Sequence, residues 1–275
     1  MTTEDGGDRG WSPDLYMKFE RERTRAARDL LAAVPLAGAA LAFDLGCGPG
    51  NGVELLLKRF PGAKVVGLDT SEAMLAHARR RAPLADFAPQ DIETWTPDEP
   101  VDLIFANAAL HFLPRHELLF PRLASFLKPG GCLAVQMPSI VHEASHAAIR
   151  LVASEGPWSA RLAPVARTQP VIASFQDYHA WLSPFCGEID IWETTYIHLL
   201  KGPDDIVDWF AGSGLRPFLN LLDATERREF LARYRRELTY SYPERADGRT
   251  FFAYPRLFLV AVRSGPDAVR PHDVA

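Results

Sequence analysis

The segment Asp44-Leu-Gly-Cys-Gly-Pro-Gly50 limits the folds open to this chain more sharply than any other stretch. It follows the apolar run Leu41-Ala-Phe43 and opens a helix-patterned stretch over 51–59, so it reads as a strand-to-helix turn. Residues without a Cβ let backbone N–H groups approach a ligand at the carboxyl end of such a strand. The spacing discriminates between ligands. A dinucleotide fingerprint, Gly-x-Gly-x-x-Gly, started from Gly46 and Gly48 demands glycine at 51, where Asn51 stands; the glycines fall at 46, 48 and 50 instead.

The surroundings of the loop repeat its pattern. Leu41–Phe43 stops at Asp44, Lys64–Leu68 at Asp69, Val101–Phe105 at Ala106-Asn107, and Cys132–Gln136 before Pro138. Helix patterns over 20–33, 51–59, 71–81 and 115–127 lie between them, with Thr70-Ser71 as a cap and Pro129-Gly130-Gly131 as a stop. Alternation of this kind predicts an α/β fold with a doubly wound, mostly parallel, Rossmann-like sheet. From 138 the pattern loosens: His142–Ser154 reads as a helix, followed by proline-bearing stretches of weak periodicity. A helical cap insertion over 138–187 is therefore expected. The run Ile189–His198, helices near 203–211 and 223–239, and the strand Arg256–Val262 complete the chain, the two late strands forming an antiparallel edge. At about 150 residues per domain, 275 residues read as one elaborated domain over 1–275, with residues 1–30 as an N-terminal lid and 264–275 as a tail.

Composition narrows the partners. A net charge of −5 argues against nonspecific binding to nucleic acid or anionic lipid. The arginines at 21, 25 and 28, at 79–81 and within 227–236 are interleaved with acids at helical spacing and read as solvated faces. The longest uncharged apolar stretch, Leu30–Phe43, has 14 residues and contains Pro35 and Gly38, whereas a span needs roughly 18–20. Three widely spaced cysteines, Cys47, Cys132 and Cys186, suit reduced thiols. With an acidic N-terminus, they lead us to expect a cytoplasmic protein acting as a monomer on a small molecule. His142-Glu-Ala-Ser-His146 has the spacing of a zinc hydrolase, but a third ligand at convincing spacing is missing, so no metal is expected.

An acid two places before the first glycine, with glycines at every second position after it, resembles the first motif of class I S-adenosylmethionine-dependent methyltransferases. The likeness goes further. Trp11–Tyr16 with Phe19 and Glu22-Arg23, Phe105-Ala-Asn107, Leu133–Pro138, Asp177-Tyr178, Leu182-Ser-Pro184, Asp190-Ile-Trp192, Thr195-Tyr196 with His198, Ile206–Trp209, Gly212–Pro217, Ala246-Asp-Gly248 and Pro255–Phe258 resemble the trans-aconitate 2-methyltransferase family. The resemblance implies S-adenosyl-L-methionine as cofactor, with Asp44, Gly46, Cys47, Gly48 and Gly50 in its loop. Asp69 is placed for ribose hydroxyls, Thr70 beside it, Asp91 for the adenine amino group, Met74 and Ile92 for the faces of the ring, and Asn107 at the next strand end.

The implied reaction is methyl ester formation on trans-aconitate or a related small polycarboxylate. Another carboxylic acid or acceptor, and a non-catalytic cofactor-binding module, are the alternatives. A carboxylate is already ionised at neutral pH, so no general base is required. Spectator carboxylates call for arginine forks, and Arg216 and Arg256 sit in family motifs. Tyr16, Gln136, Tyr178 and Tyr196 are expected as further substrate contacts. His111 is expected both to contact the substrate and to position it for reaction. His111-Phe112, Ser139-Ile140 and Leu199 depart from the family pattern, the first two pairs at the mouth of the pocket.

Overall fold

A computed structural model of the protein describes residues 17–167 and 172–265. Seven strands form one sheet: β1 (Leu41–Leu45), β2 (Lys64–Asp69), β3 (Asp86–Pro89), β4 (Val101–Asn107), β5 (Leu127–Pro138), β6 (Cys186–Leu200) and β7 (Thr250–Arg263). They stand in the order β3-β2-β1-β4-β5-β7-β6. The first five run parallel, and β7 pairs antiparallel with both β5 and β6. The expected α/β sheet with its antiparallel edge is therefore present, and strand order reverses between β1 and β4, where ligands of open α/β sheets sit at the carboxyl ends.

Helix α1 (Glu20–Ala32) buries Arg23, Ala26, Ala27, Leu30 and Leu31, the i, i+3, i+4, i+7, i+8 stripe of a helix packed on one face. Helices α2 (Asn51–Arg59), α3 (Glu72–Arg81) and α4 (His116–Ser125) supply the crossovers of the parallel half. Ser71 caps α3 by accepting from the Met74 N–H, a device that typically stabilises by about 0.5–2 kcal/mol. The end of α4 differs from expectation. The helix stops at Ser125, and Pro129-Gly130-Gly131 lie inside the irregular start of β5, Gly130 taking φ 78°.

The segment expected as one cap contains α5 (Ala144–Ser154), α6 (Ser159–Arg167) and α7 (Phe175–Leu182), and it is divided between two cores. Tyr178 and Leu182 of α7 join the sheet core with Phe120 and Leu257. Ile149, Val152, Trp158 and Leu162 instead join Trp209 and Phe210 of α8 (Gly202–Ala211), Phe230 and Tyr234 of α10 (Ala224–Ser241), and Phe252 of β7. Helix α6 was obscured in the sequence by Pro164. Burial of Leu162 and of Trp158, whose Nε1 donates to the Val152 carbonyl at 2.8 Å, holds that segment in place. Helix α7 carries a capping box, Ser174 with Asp177, that its sequence displays. The single turn α9 (Arg216–Leu219) was also not foreseen.

Candidate active site

Two adjoining cavities open at the carboxyl ends of β1, β2, β4 and β5. The first is lined by Gly46, Gly48, Asp69, Thr70, Met74, Gln90, Asp91, Ile92, Asn107, Ala108, Ala109, Phe112 and Leu113. Asp69 terminates β2 and accepts from the Gly48 N–H at Oδ2 and the Ser71 N–H at Oδ1, both at 2.9 Å, which fixes its carboxylate against the loop. Met74 and Ile92 offer buried apolar surfaces, and Asp91 stands exposed beside them, accepting from the Glu93 N–H at 2.8 Å. A flat base between two aliphatic side chains, with carboxylates for amino and hydroxyl groups, is what this lining suits.

The loop glycines divide into distinct jobs. A Cβ at Gly48 would meet nothing within 4 Å, whereas one at Gly50, where φ is 90°, would stand 3.0 Å from Ala78 Cα on α3. Gly50 thus seats the loop on α3 and does not line the cavity. Asp44 and Cys47 do not line it either. Asp44 is buried beneath the loop, its Oδ2 only 2.3 Å from where a Cβ on Gly52 would lie. Burial, with the nearby Asp69 charge second, pushes its carboxyl up to about 8. Burial likewise pushes the Cys47 thiol far above its ordinary range. Asn51, the residue that breaks the dinucleotide spacing, donates to Glu20 Oε1 at 3.0 Å and Thr24 Oγ1 at 2.8 Å, tying α1 to the loop.

Asn107, Ala108 and Phe112 line both cavities. Ala108 holds φ 56°, an uncommon conformation for a residue with a side chain, and its N–H donates to the Gln136 carbonyl at 2.8 Å. Backbone strain of this kind gathers at functional junctions.

The second cavity, about 220 Å³, is lined by Arg23, His111, Ser139, Ile140, His142, His146, Trp209, Ser213, Gly214, Pro217, Tyr254 and Arg256 among others. Two of its walls are guanidinium groups, and no Asp or Glu stands among its described lining residues. Register creates this charge. Asn107 pairs with Gln136 across β4 and β5, and Pro138 pairs with Arg256 across β5 and β7, bringing the three strands' polar side chains to one end of the sheet. Arg256 donates from Nη1 to Gln136 Oε1 at 3.0 Å and lies 4.6 Å from the Tyr254 ring centroid. Arg23 donates from Nη2 to the Trp209 carbonyl at 3.1 Å and lies 5.0 Å from the Trp209 ring centroid.

His111 is pushed down to about 3 by burial and then by the charges of Arg256, His116 and His146. His146 is pushed down to about 4 by burial and by Arg150. Both are neutral imidazoles at physiological pH. Buried polar atoms of Asn107 (Oδ1), His111 (Nδ1) and His146 (Nδ1) meet no hydrogen-bond partner among the described residues, so the cavity offers neutral polar groups beside its two cations.

Several expected contacts are not brought here. Tyr178 is buried, its hydroxyl 2.7 Å from His116 Nδ1 and accepting from the Ala173 N–H, so it braces α7 on α4. Tyr196 donates to Asp29 Oδ2 at 2.6 Å on the α1 side. Gln136 reaches the cavity only through Arg256. Arg216 is half-buried on α9 and does not line the cavity, although Gly214 and Pro217 on either side do. Tyr16 lies outside the described residues. Arg23, His146, Tyr254 and Ser213 were not foreseen as lining; for Arg23 the signal was available, an arginine on the apolar stripe of an amphipathic helix. His142 and His146 do line the cavity, yet no group of three or more His, Cys, Asp or Glu among the described residues is placed to hold a metal.

The family described as "Methyltransferase domain" matches residues 42–131. A trans-aconitate 2-methyltransferase from Methylobacterium nodulans is 55% identical over 254 residues, covering 92% of this chain and 98% of that relative. One from Paracidovorax citrulli is 48% identical over 256 residues, covering 92% and 98%. The structure of Haemonchus contortus phosphoethanolamine N-methyltransferase 2 in complex with S-adenosyl-L-methionine aligns with TM-score 0.54 at 19% identity, over 88% of this chain and 53% of that one. Sheet order, glycine loop and paired cavities are those of a class I methyltransferase, an enzyme that uses S-adenosylmethionine. Within that class the chain belongs to the trans-aconitate 2-methyltransferase family.

Proposed function

We propose that the enzyme transfers a methyl group to a carboxylate oxygen of trans-aconitate, or of a closely related small polycarboxylate, giving a monomethyl ester. One observation carries the reading: Arg23 and Arg256 both line the acceptor cavity, in which no carboxylate stands among the described residues. Guanidinium forks match carboxylates in two-point contacts, and a low-dielectric wall strengthens the attraction. The names of the relatives support the choice of acid.

When bound in the first cavity, S-adenosylmethionine supplies an activated methyl on a sulfonium. Gly46, Gly48, Asp69, Thr70, Met74, Asp91 and Ile92 hold it, and Asn107 lies at the passage to the acceptor. Asp44 and Gly50 act through the loop, one beneath it and one seating it on α3. Arg23 and Arg256 hold the carboxylates that do not react, and orient the third toward the passage. His111, neutral, positions the acceptor by hydrogen bonding and takes no proton, since the nucleophile is already ionised. Positioning of this kind lowers a barrier by up to about 7–11 kcal/mol. Phe112, Ile140 and Trp209 keep water from the reacting oxygen. The three free, buried thiols fit a reducing cytoplasm, and no helix among the described residues is long and apolar enough to cross a membrane.

The test is a panel of mono-, di- and tricarboxylates incubated with S-adenosylmethionine, scored by S-adenosylhomocysteine release and by the mass of the ester. A monomethyl ester of trans-aconitate is expected; methylation confined to amines, phenols or nucleic acid overturns the reading.

A further inference from the structure

Away from both cavities, Arg21 and Arg25 of α1, Arg249 at the start of β7, and Ile197, His198 and Leu199 of β6 line a recess of about 320 Å³, with Glu22 its only acid among the described residues. Five helix arginines elsewhere on the protein are paired with acids: Arg79 with Glu72, Arg81 with Glu20, Arg161 with Glu226, Arg233 with Glu229 and Arg235 with Asp204. Arg21, Arg25 and Arg249 form no salt bridge with a described residue; Arg25 instead lies 5.0 Å from the Tyr196 ring centroid. In a chain with 35 acids and 30 lysines and arginines, three such guanidinium groups at one concavity are a local inversion of charge. The recess also has a buried polar member. His198 is 5% exposed, and its Nε2 meets no partner among the described residues.

We propose that this recess is a second anion site, taking a compact oxyanion of two or more charges, phosphate-type or carboxylate-type, in the forks of Arg21, Arg25 and Arg249. Planar forks arriving from a helix and from the residue before a strand can each grip a different oxygen, which favours a multivalent anion over chloride. The site joins α1 to the antiparallel pair of β6 and β7. The same helix sends Arg23 into the acceptor cavity, and the His198 ring centroid is 5.1 Å from that of Trp209, another wall of that cavity. An anion clamped across α1 and β6 therefore also steadies Arg23 and Trp209. The inference does not depend on which acid the enzyme methylates.

The experiment is calorimetric titration of the full-length protein with pyrophosphate and, separately, with citrate, at ionic strength matched with sodium chloride. Three proteins are compared: the wild type, Arg25→Glu/Arg249→Glu, and Arg256→Ala. Arg21→Gln/Arg249→Gln provides a milder variant if charge reversal lowers the melting temperature. In the wild type we expect one equivalent bound at the recess by at least one of the two anions, and the tighter of them names the ligand class. Binding should weaken at least tenfold in the recess variants and persist in Arg256→Ala, while the ring resonances of His198 move on titration. Equal binding in wild type and recess variants overturns the site. So does loss of that equivalent in Arg256→Ala, or its displacement by trans-aconitate, because the anion then occupies the acceptor cavity.

Discussion

Gln136 and Arg256 are joined by a hydrogen bond of 3.0 Å between side chains on neighbouring strands, both almost fully buried. The guanidinium donates to an amide oxygen, a partner that orients it without cancelling its charge. The bond holds that guanidinium on the wall of the acceptor cavity.

Gln136→Leu should leave Arg256 present but unguided. Hydrogen bonds to charged groups contribute about 1.5–3 kcal/mol, so KM for the tricarboxylate should rise about 10- to 150-fold with cofactor affinity unchanged. Gln136→Glu should be worse, because a carboxylate there pairs with Arg256. Steady-state kinetics together with calorimetry on S-adenosylmethionine checks this; equal KM values in the two variants would count against an orienting amide at Gln136.

Charge counting leads to a second expectation. Arg23, Arg256 and a sulfonium place three positive charges around a trianion, and transfer of the methyl cancels one charge of each sign at once. Arg23→Gln should raise KM for a tricarboxylate about 10- to 150-fold and for a monocarboxylate much less. The wild type should bind the trianion more tightly with S-adenosylmethionine bound than with S-adenosylhomocysteine, and it should stop after one ester. Accumulation of a dimethyl ester at early times would contradict this expectation.

Gly48 and Gly50 should fail in different ways. Gly50→Ala drives a Cβ to 3.0 Å from Ala78 Cα at φ 90°, so the melting temperature should fall, by strain on the order of 1–3 kcal/mol. Gly48→Ala, at φ 53° but facing open space, carries backbone strain without the clash, so it should cost less stability than Gly50→Ala and also weaken cofactor binding. Differential scanning calorimetry and cofactor titration on both variants separate the roles.

Four histidines are held below their ordinary value by burial and act together at the acid limit, His116 and His198 beside His111 and His146 of the acceptor cavity. His111 and His146 are held below their unfolded value of 6.5, at about 3 and about 4, so the folded state favours their neutral forms. Their contribution to stability is complete above pH 6.5 and is lost as pH falls from 6.5 toward 4 and below. His146→Asn should flatten thermal stability over that range. Turnover should show no histidine limb between pH 6 and 8, and a limb near 6.5 that disappears in His111→Asn would assign His111 a proton-transfer role instead.

What the sequence determined is local and periodic. The Asp44–Gly50 loop, the strand ends at Asp69 and Asn107, and the Ser71 cap are written in consecutive residues, so the cofactor half was legible. Arg256 was also named, through its motif. The acceptor cavity needed the tertiary structure, because its walls come from α1, β4, β5, α5, α8 and β7, and the pairing of Pro138 with Arg256 makes Gln136 and Arg256 diagonal neighbours across β5 and β7. Tyr178 and Tyr196 illustrate the limit: their neighbours His116 and Asp29, 62 and 167 residues away in sequence, satisfy hydroxyls that the sequence left unassigned. Arg23 is the converse case. A cation on the apolar stripe of α1 looks costly in one dimension, and only the packing of α1 against α8 shows which cavity it enters.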